Sequence, residues 1–131
     1  MKLTVRIALL CLVAVVGLSL AITKNFGQPM ATVPGVYENF TIGKDSGDLE
    51  GMRVVIVPAG GGHYAIVQIA QGGAEDPKPE FVPVEVKGKS VSFSVGDEKF
   101  TGTATAPGLN LKNAAGEPQA LKRKACGAYF K

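Results

Sequence analysis

Hydrophobic and polar positions along the chain fall into two regimes. Between Ile7 and Leu20 the residues are almost uniformly apolar, without the gaps that a half-exposed element shows. From Gly35 onward, short runs alternate apolar and polar side chains and stop at glycine, proline or aspartate. Val36–Ile42 alternates around Tyr37 and Phe40, and Gly51–Val57 is β-branched up to Pro58. His63–Gln71 follows, then Glu80–Val86, with Val82, Val84 and Val86 on one face and Phe81, Pro83 and Glu85 on the other. Ser90–Val95 is the cleanest alternation, apolar at Val91, Phe93 and Val95. Lys99–Thr105, Leu109–Lys112 and Gln119–Lys124 complete the series. Period-2 alternation bounded by turn residues is the mark of half-buried strands. No window has the 3.6-residue period of a helix.

About eight short strands with short connections predict an all-β, antiparallel meander, because parallel neighbours would need long crossovers. Such a sheet either leaves two edges or closes on itself, so the expected architecture is a small up-and-down β-barrel or a strongly curled sheet. Pro83 implies that its strand is broken or lies at a seam, and Gly102 within KFTGTAT implies a bend. His63–Gln71 is apolar on both faces, which predicts a central strand covered on both sides with Gln68 a buried amide. If a pocket exists, Arg53, Tyr64 and Gln68 are its expected polar lining.

The apolar N-terminal run changes how the chain is divided. Lys2 and Arg6 precede it and Ser19-Leu20-Ala21 closes it with small residues, the pattern of a secretory signal peptide. At 14 residues it is shorter than the ~18 or more of a spanning helix, so no stable span is expected after cleavage; an uncleaved anchor is the alternative. Cys11 sits inside the run rather than closing it, unlike a lipidated cysteine. The expected organisation is a signal at 1–21, a flexible arm at 22–34 with two prolines, and a barrel-like domain at 35–131.

Composition then narrows the chemistry. The net charge of +3 contains Lys2 and Arg6; without them, 12 basic residues face 11 acidic ones. A nearly neutral chain lacks the footprint of a nucleic-acid binder. Only Cys126 remains in the mature part, so an internal disulfide is excluded. Cys126 is then either a buried small hydrophobe or the link of a disulfide-joined dimer. One histidine and no paired cysteines leave a metal, cofactor or nucleophilic triad without partners, so no enzyme is expected. His63 is expected in an exposed turn or strand start. Asp45 and Asp48 lack the spacing of a calcium loop and are expected to bond nearby backbone as turn formers. Gly60-Gly61-Gly62 opens no helix and is read as a hairpin tip.

Gly35-Val36-Tyr37-Glu38-Asn39 at the first strand and Leu121-Lys122-Arg123 in the last carry a resemblance to the calycins, the lipocalin and avidin families. There a Gly-x-Trp closes one barrel end beneath a basic residue from the final strand; here Tyr37 stands at the tryptophan position. The resemblance implies that Tyr37 and Arg123 meet at the closed end, in a structural role. The stretch from Ser46 to Gly72 also resembles small exported bacterial proteins, implying a periplasmic or secreted setting but no activity. The function expected is a non-enzymatic exported domain that binds a small ligand or an envelope protein. The alternative is an envelope-associated structural or inhibitor module with a packed interior.

Overall fold

The computed structural model describes residues 32–73 and 77–126, and the apolar run with its cleavage site lies outside them. Nine strands form among the described residues: β1 Gly35–Glu38, β2 Thr41–Ile42, β3 Leu49–Ala59, β4 Gly62–Gln71, β5 Glu80–Lys87, β6 Ser90–Val95, β7 Glu98–Ala104, β8 Gly108–Lys112 and β9 Pro118–Lys124. All pairings are antiparallel, each strand from β3 to β9 bonds the next, and β1 bonds both β3 and β9. The sheet therefore closes into an eight-stranded up-and-down barrel, with β2 as a short extra strand on β3. Closure removes the open edges that a meander would otherwise expose.

β1 and β2 continue one register along β3: Glu38 faces Arg53 and Thr41 faces Glu50. Between them Asn39 replaces part of the ladder with its side chain. Its amide N–H donates to the Met52 carbonyl at 3.0 Å, and its Oδ1 accepts from the Met52 amide at 2.7 Å. Gly51 makes room for this approach. Its φ is +113°, and a Cβ there would lie 2.8 Å from the Asn39 carbonyl oxygen.

The hairpins follow the turn chemistry of the sequence. Ala59 pairs with Gly62 around Gly60-Gly61, both at positive φ, so the glycine triplet is a tight two-residue turn. β5 runs unbroken through Pro83, but its ladder to β6 begins only at Glu85. Pro83 thus sits where β5 is bonded to β4 alone, and its missing N–H costs no bond to β6. That is the seam implied by the sequence. Gly102 faces the interior, where a Cβ would collide with the Asn110 carbonyl oxygen, so β7 and β8 approach as only a glycine allows.

The core is the barrel interior. Met52, Val54, Ile56, Ala65 and Val67 fill it from one side, and Phe93, Phe100, Leu109, Leu111 and Leu121 from the other. Phe93 and Phe100 are cross-strand partners whose rings stack with centroids 5.4 Å apart. Val33 joins the same cluster, so the barrel's contacts reach back into the segment expected as a flexible arm.

The expected burial of both faces of β4 is not observed. Ala65 and Val67 are buried, whereas Ile66 on the opposite face is 39% exposed and Gln68 is only half-buried. A single-layer barrel gives each strand one inner face, and no second sheet covers the outer one among the described residues. Cys126 is exposed, which removes the reading of it as a buried hydrophobe.

Candidate functional site

One end of the barrel is closed by Tyr37 and Arg123, which face each other across β1 and β9. Tyr37 is fully buried, and the Arg123 guanidinium carbon lies 4.7 Å from its ring centroid. Arg123 Nη2 donates to the Tyr37 hydroxyl at 2.6 Å, and that hydroxyl donates to the Val33 carbonyl at 2.6 Å. Arg123 also donates to the carbonyls of Pro34 at 3.1 Å and Thr32 at 2.5 Å. Burial pushes the Tyr37 pKa above its ordinary value, with Arg123 pulling weakly the other way. The phenol stays protonated and able to donate.

Arg53, Tyr64 and Gln68 lie on the outer wall, not in the interior. Arg53 Nε donates to Glu38 at 2.8 Å, its Nη1 donates to Gln68 Oε1 at 3.2 Å, and its guanidinium lies 5.0 Å from the Phe40 ring centroid. Gln68 Nε2 donates to the Pro77 carbonyl at 3.0 Å. Gln68 therefore has the partners expected of it, but they tether the β4–β5 connection. Glu38 also meets Lys124 at 3.3 Å. Tyr64 is separate: it stacks on Phe81 with centroids 5.1 Å apart and planes 7° from parallel. Phe81 is 65% exposed.

Among the described residues, two clefts lie beside the filled interior. The smaller, about 210 Å³, lies at the barrel mouth opposite Arg123, between Met52, Ile69, Phe100, Asn113 and Gln119. Asn39 Nδ2 reaches Gln119 there at 3.4 Å. The larger, about 710 Å³, is a groove on the outer wall of β5–β9. Strand register shows what builds it. Two cross-strand rows cross five strands, Glu85–Ser92–Thr101–Lys112–Pro118 and Lys87–Ser90–Thr103–Asn110–Ala120. All ten residues line the groove. Neighbouring strands lie about 4.8 Å apart, so each row offers a side chain at that interval.

The groove floor is short side chains: Ser90, Ser92, Thr101, Thr103 and Asn110. None of these five is hydrogen-bonded through its side chain to another described residue. Glu85 and Lys87 at the edge form a 2.7 Å ion pair. The hydrogen bond and charge of Lys87 hold the Glu85 carboxyl below its usual range, and Glu85 raises Lys87 in return. Both side chains are well exposed, so this pair is weak and exchangeable.

The sequence reading missed this groove. Its signal was present as the polar half of the alternation in Ser90–Val95 and Lys99–Thr105. Which serine stands beside which threonine depends on register, which those runs do not encode.

The remaining candidates are local. His63, expected to be exposed, is the second residue of β4 and is half-buried, opposite Pro58. In the β2–β3 connection the side chain that bonds backbone is Ser46, whose Oγ accepts from the Asp48 amide at 3.2 Å. The carboxylates of Asp45 and Asp48, expected in that role, are not the bonding groups among the described residues: the Asp48 amide is taken by Ser46 and the Gly47 amide by the Gly43 carbonyl. No group of three or more metal-ligating side chains gathers among the described residues.

No family model, no curated protein and no solved structure matches this chain.

Proposed function

We propose that this chain is a non-enzymatic exported interaction module, a meander barrel of calycin-like type that binds through its outer wall. The observation that carries this reading is where the free volume lies. Phe93, Phe100, Leu109, Leu111 and Tyr37 fill the interior, the place where a ligand-carrying barrel holds its cargo. The 710 Å³ groove, by contrast, lies outside and is lined with unengaged hydroxyls. Of the two functions expected from sequence, the packed interior favours the envelope-associated module over a carrier of a small enclosed ligand. Export rests on Lys2, Arg6, the Ile7–Leu20 run and Ser19-Leu20-Ala21. In an oxidising compartment, exposed Cys126 is the residue through which two copies would join.

Native mass spectrometry of the full chain expressed with its own leader in a bacterial host tests this reading. The expected species begins at Ile22 and carries an adduct that disappears in Thr101→Arg, which fills the groove. An adduct retained by Thr101→Arg but lost when the interior is altered by Val67→Phe would overturn it.

A further inference from the structure

We infer that the two cross-strand rows on the outer wall form a binding site for a linear acidic polysaccharide, lying across the strands. This rests on the reading that the groove is the working surface. Three features select the ligand class.

The first is spacing. Along each row a polar side chain recurs on every strand from β5 to β8, about 4.8 Å apart, which is close to the length of one pyranose unit in an extended glycan. Ser92 and Thr101 stand side by side in one row, and Ser90, Thr103 and Asn110 in the other. A hydroxyl both donates and accepts, as a sugar hydroxyl does, so each position can meet a ring hydroxyl in either sense. None of these side chains must give up a bond to another described residue to do so.

The second is charge. Lys112 stands on β8 in one row and Lys87 on β5 at the edge of the other, while Lys99 and Lys122 continue the same face beside Ser94 and Gly108. Glu85 is the one carboxylate among the described residues that line the groove, and it is already held by Lys87. Lys99, Lys112 and Lys122 form no ion pair with another described residue. Among the other described acids, Asp45, Asp48, Glu50, Asp97, Glu98 and Glu117 lie in or beside connections at the barrel mouth, Glu80 opens β5, and Glu38, which faces Lys122, is held by Arg53 and Lys124. A nearly neutral protein thus presents a cationic wall, and the sugar carboxylates supply the matching charge.

The third is what the groove lacks. Among the described residues its lining holds no aromatic ring, so they offer no stacking platform for nucleobases. β6, β7 and β8 are each bonded on both sides, so no free edge is offered there to an added peptide strand.

Affinity electrophoresis of the mature chain through gels containing polygalacturonate tests the inference, with dextran and poly-glutamate gels as comparisons. Retardation is expected in polygalacturonate, absent in dextran and about tenfold weaker in poly-glutamate. The double variant Thr101→Val/Thr103→Val keeps the β-branched shape of both residues and so preserves the strand. It is expected to bind about tenfold more weakly, as is Lys112→Glu. Lys44→Glu, in the β2–β3 connection, is expected to bind as the parent does. Equal retardation in poly-glutamate and polygalacturonate would overturn the inference, since charge alone would then suffice. So would binding unaffected by the double valine variant, or lost equally in Lys44→Glu. Failure to bind polygalacturonate, together with an adduct that Thr101→Arg removes, would refute the glycan and leave the interaction reading standing. If that adduct also withstands Thr101→Arg, both fall.

Discussion

Arg123 lies over the face of Tyr37 and bonds its hydroxyl while also bonding the carbonyls of Thr32 and Pro34. One guanidinium thereby ties the last strand to the chain that enters the first. A planar cation with several fixed donors suits this geometry, and an ammonium does not reproduce it. Arg123→Leu is expected to destabilise the barrel by about 2–4 kcal/mol, since it leaves carbonyl acceptors and a buried phenol short of a partner. Arg123→Lys is expected to recover less than half of that loss. Urea unfolding with an unchanged m-value measures both; a loss under about 0.5 kcal/mol for Arg123→Leu would mean that the end is held by apolar packing alone.

Tyr37 imposes a pH dependence on the same closure. Its folded-state pKa is raised above the ordinary 10.0 by burial. Below pH 10 both folded and unfolded chains keep the proton, so stability from this group is constant. Above pH 10 the unfolded chain releases the proton while the folded chain retains it, and stability falls as pH rises. Tyr37→Phe is expected to be about 1 kcal/mol less stable at pH 7, through loss of the hydroxyl bonds, and to show a shallower decline above pH 10. Thermal melts of parent and variant from pH 7 to 11 give the comparison. Parallel curves would mean that the alkaline loss originates elsewhere.

Gly102 is required by space rather than by φ. A Cβ there overlaps the Asn110 carbonyl oxygen, which is backbone, and presses on the Cδ2 of Leu111, a buried side chain with packed neighbours. Gly102→Ala is expected to cost about 3 kcal/mol or more, or to prevent folding, although alanine is ordinarily the mildest replacement. Gly116→Ala provides the contrast, because nothing lies within 4 Å of a Cβ there and only its φ of +83° is strained. Its expected cost is about 1 kcal/mol. Circular dichroism melts of the two variants, run side by side, test the ranking.

The barrel itself was legible because its strands carry their own punctuation. Ser90–Val95 shows its inner face in Val91 and Phe93, and Gly96-Asp97 marks the turn without reference to anything distant. The closing pair was legible only through a resemblance: nothing in the alternation around Tyr37 says that Arg123, far along the chain, lies above it. β4 misled for a physical reason. Tyr64 and Ile66 are as apolar as Ala65 and Val67, and hydrophobicity alone does not tell an inner face from an exposed outer one. Arg53 and Gln68 were singled out together and do bond each other, but the groups that hold them in place, Glu38 from a neighbouring strand and the Pro77 carbonyl, carry no signal in either strand's own pattern. The groove was least legible, because it exists only where β5 to β8 set their polar faces in register beside β9.

Asn39 joins β1 to β2, and its contribution is separable by substitution. Its Oδ1 holds the Met52 amide at 2.7 Å where strand-to-strand bonding is interrupted. Asn39→Ala leaves that partly buried N–H without an acceptor, at a cost of about 1–3 kcal/mol. Asn39→Asp keeps an oxygen at the same place and is expected to lose about 1 kcal/mol or less near neutral pH, its carboxylate accepting the same bond. Hydrogen exchange followed by nuclear magnetic resonance distinguishes the two at a single atom. The Met52 amide should exchange much faster in Asn39→Ala, approach parental protection in Asn39→Asp at pH 7, and leave the Val54 and Val67 amides slowed in both. If the Met52 amide remained equally protected in Asn39→Ala, backbone or water would be supplying the bond, and the break between β1 and β2 would not depend on this side chain.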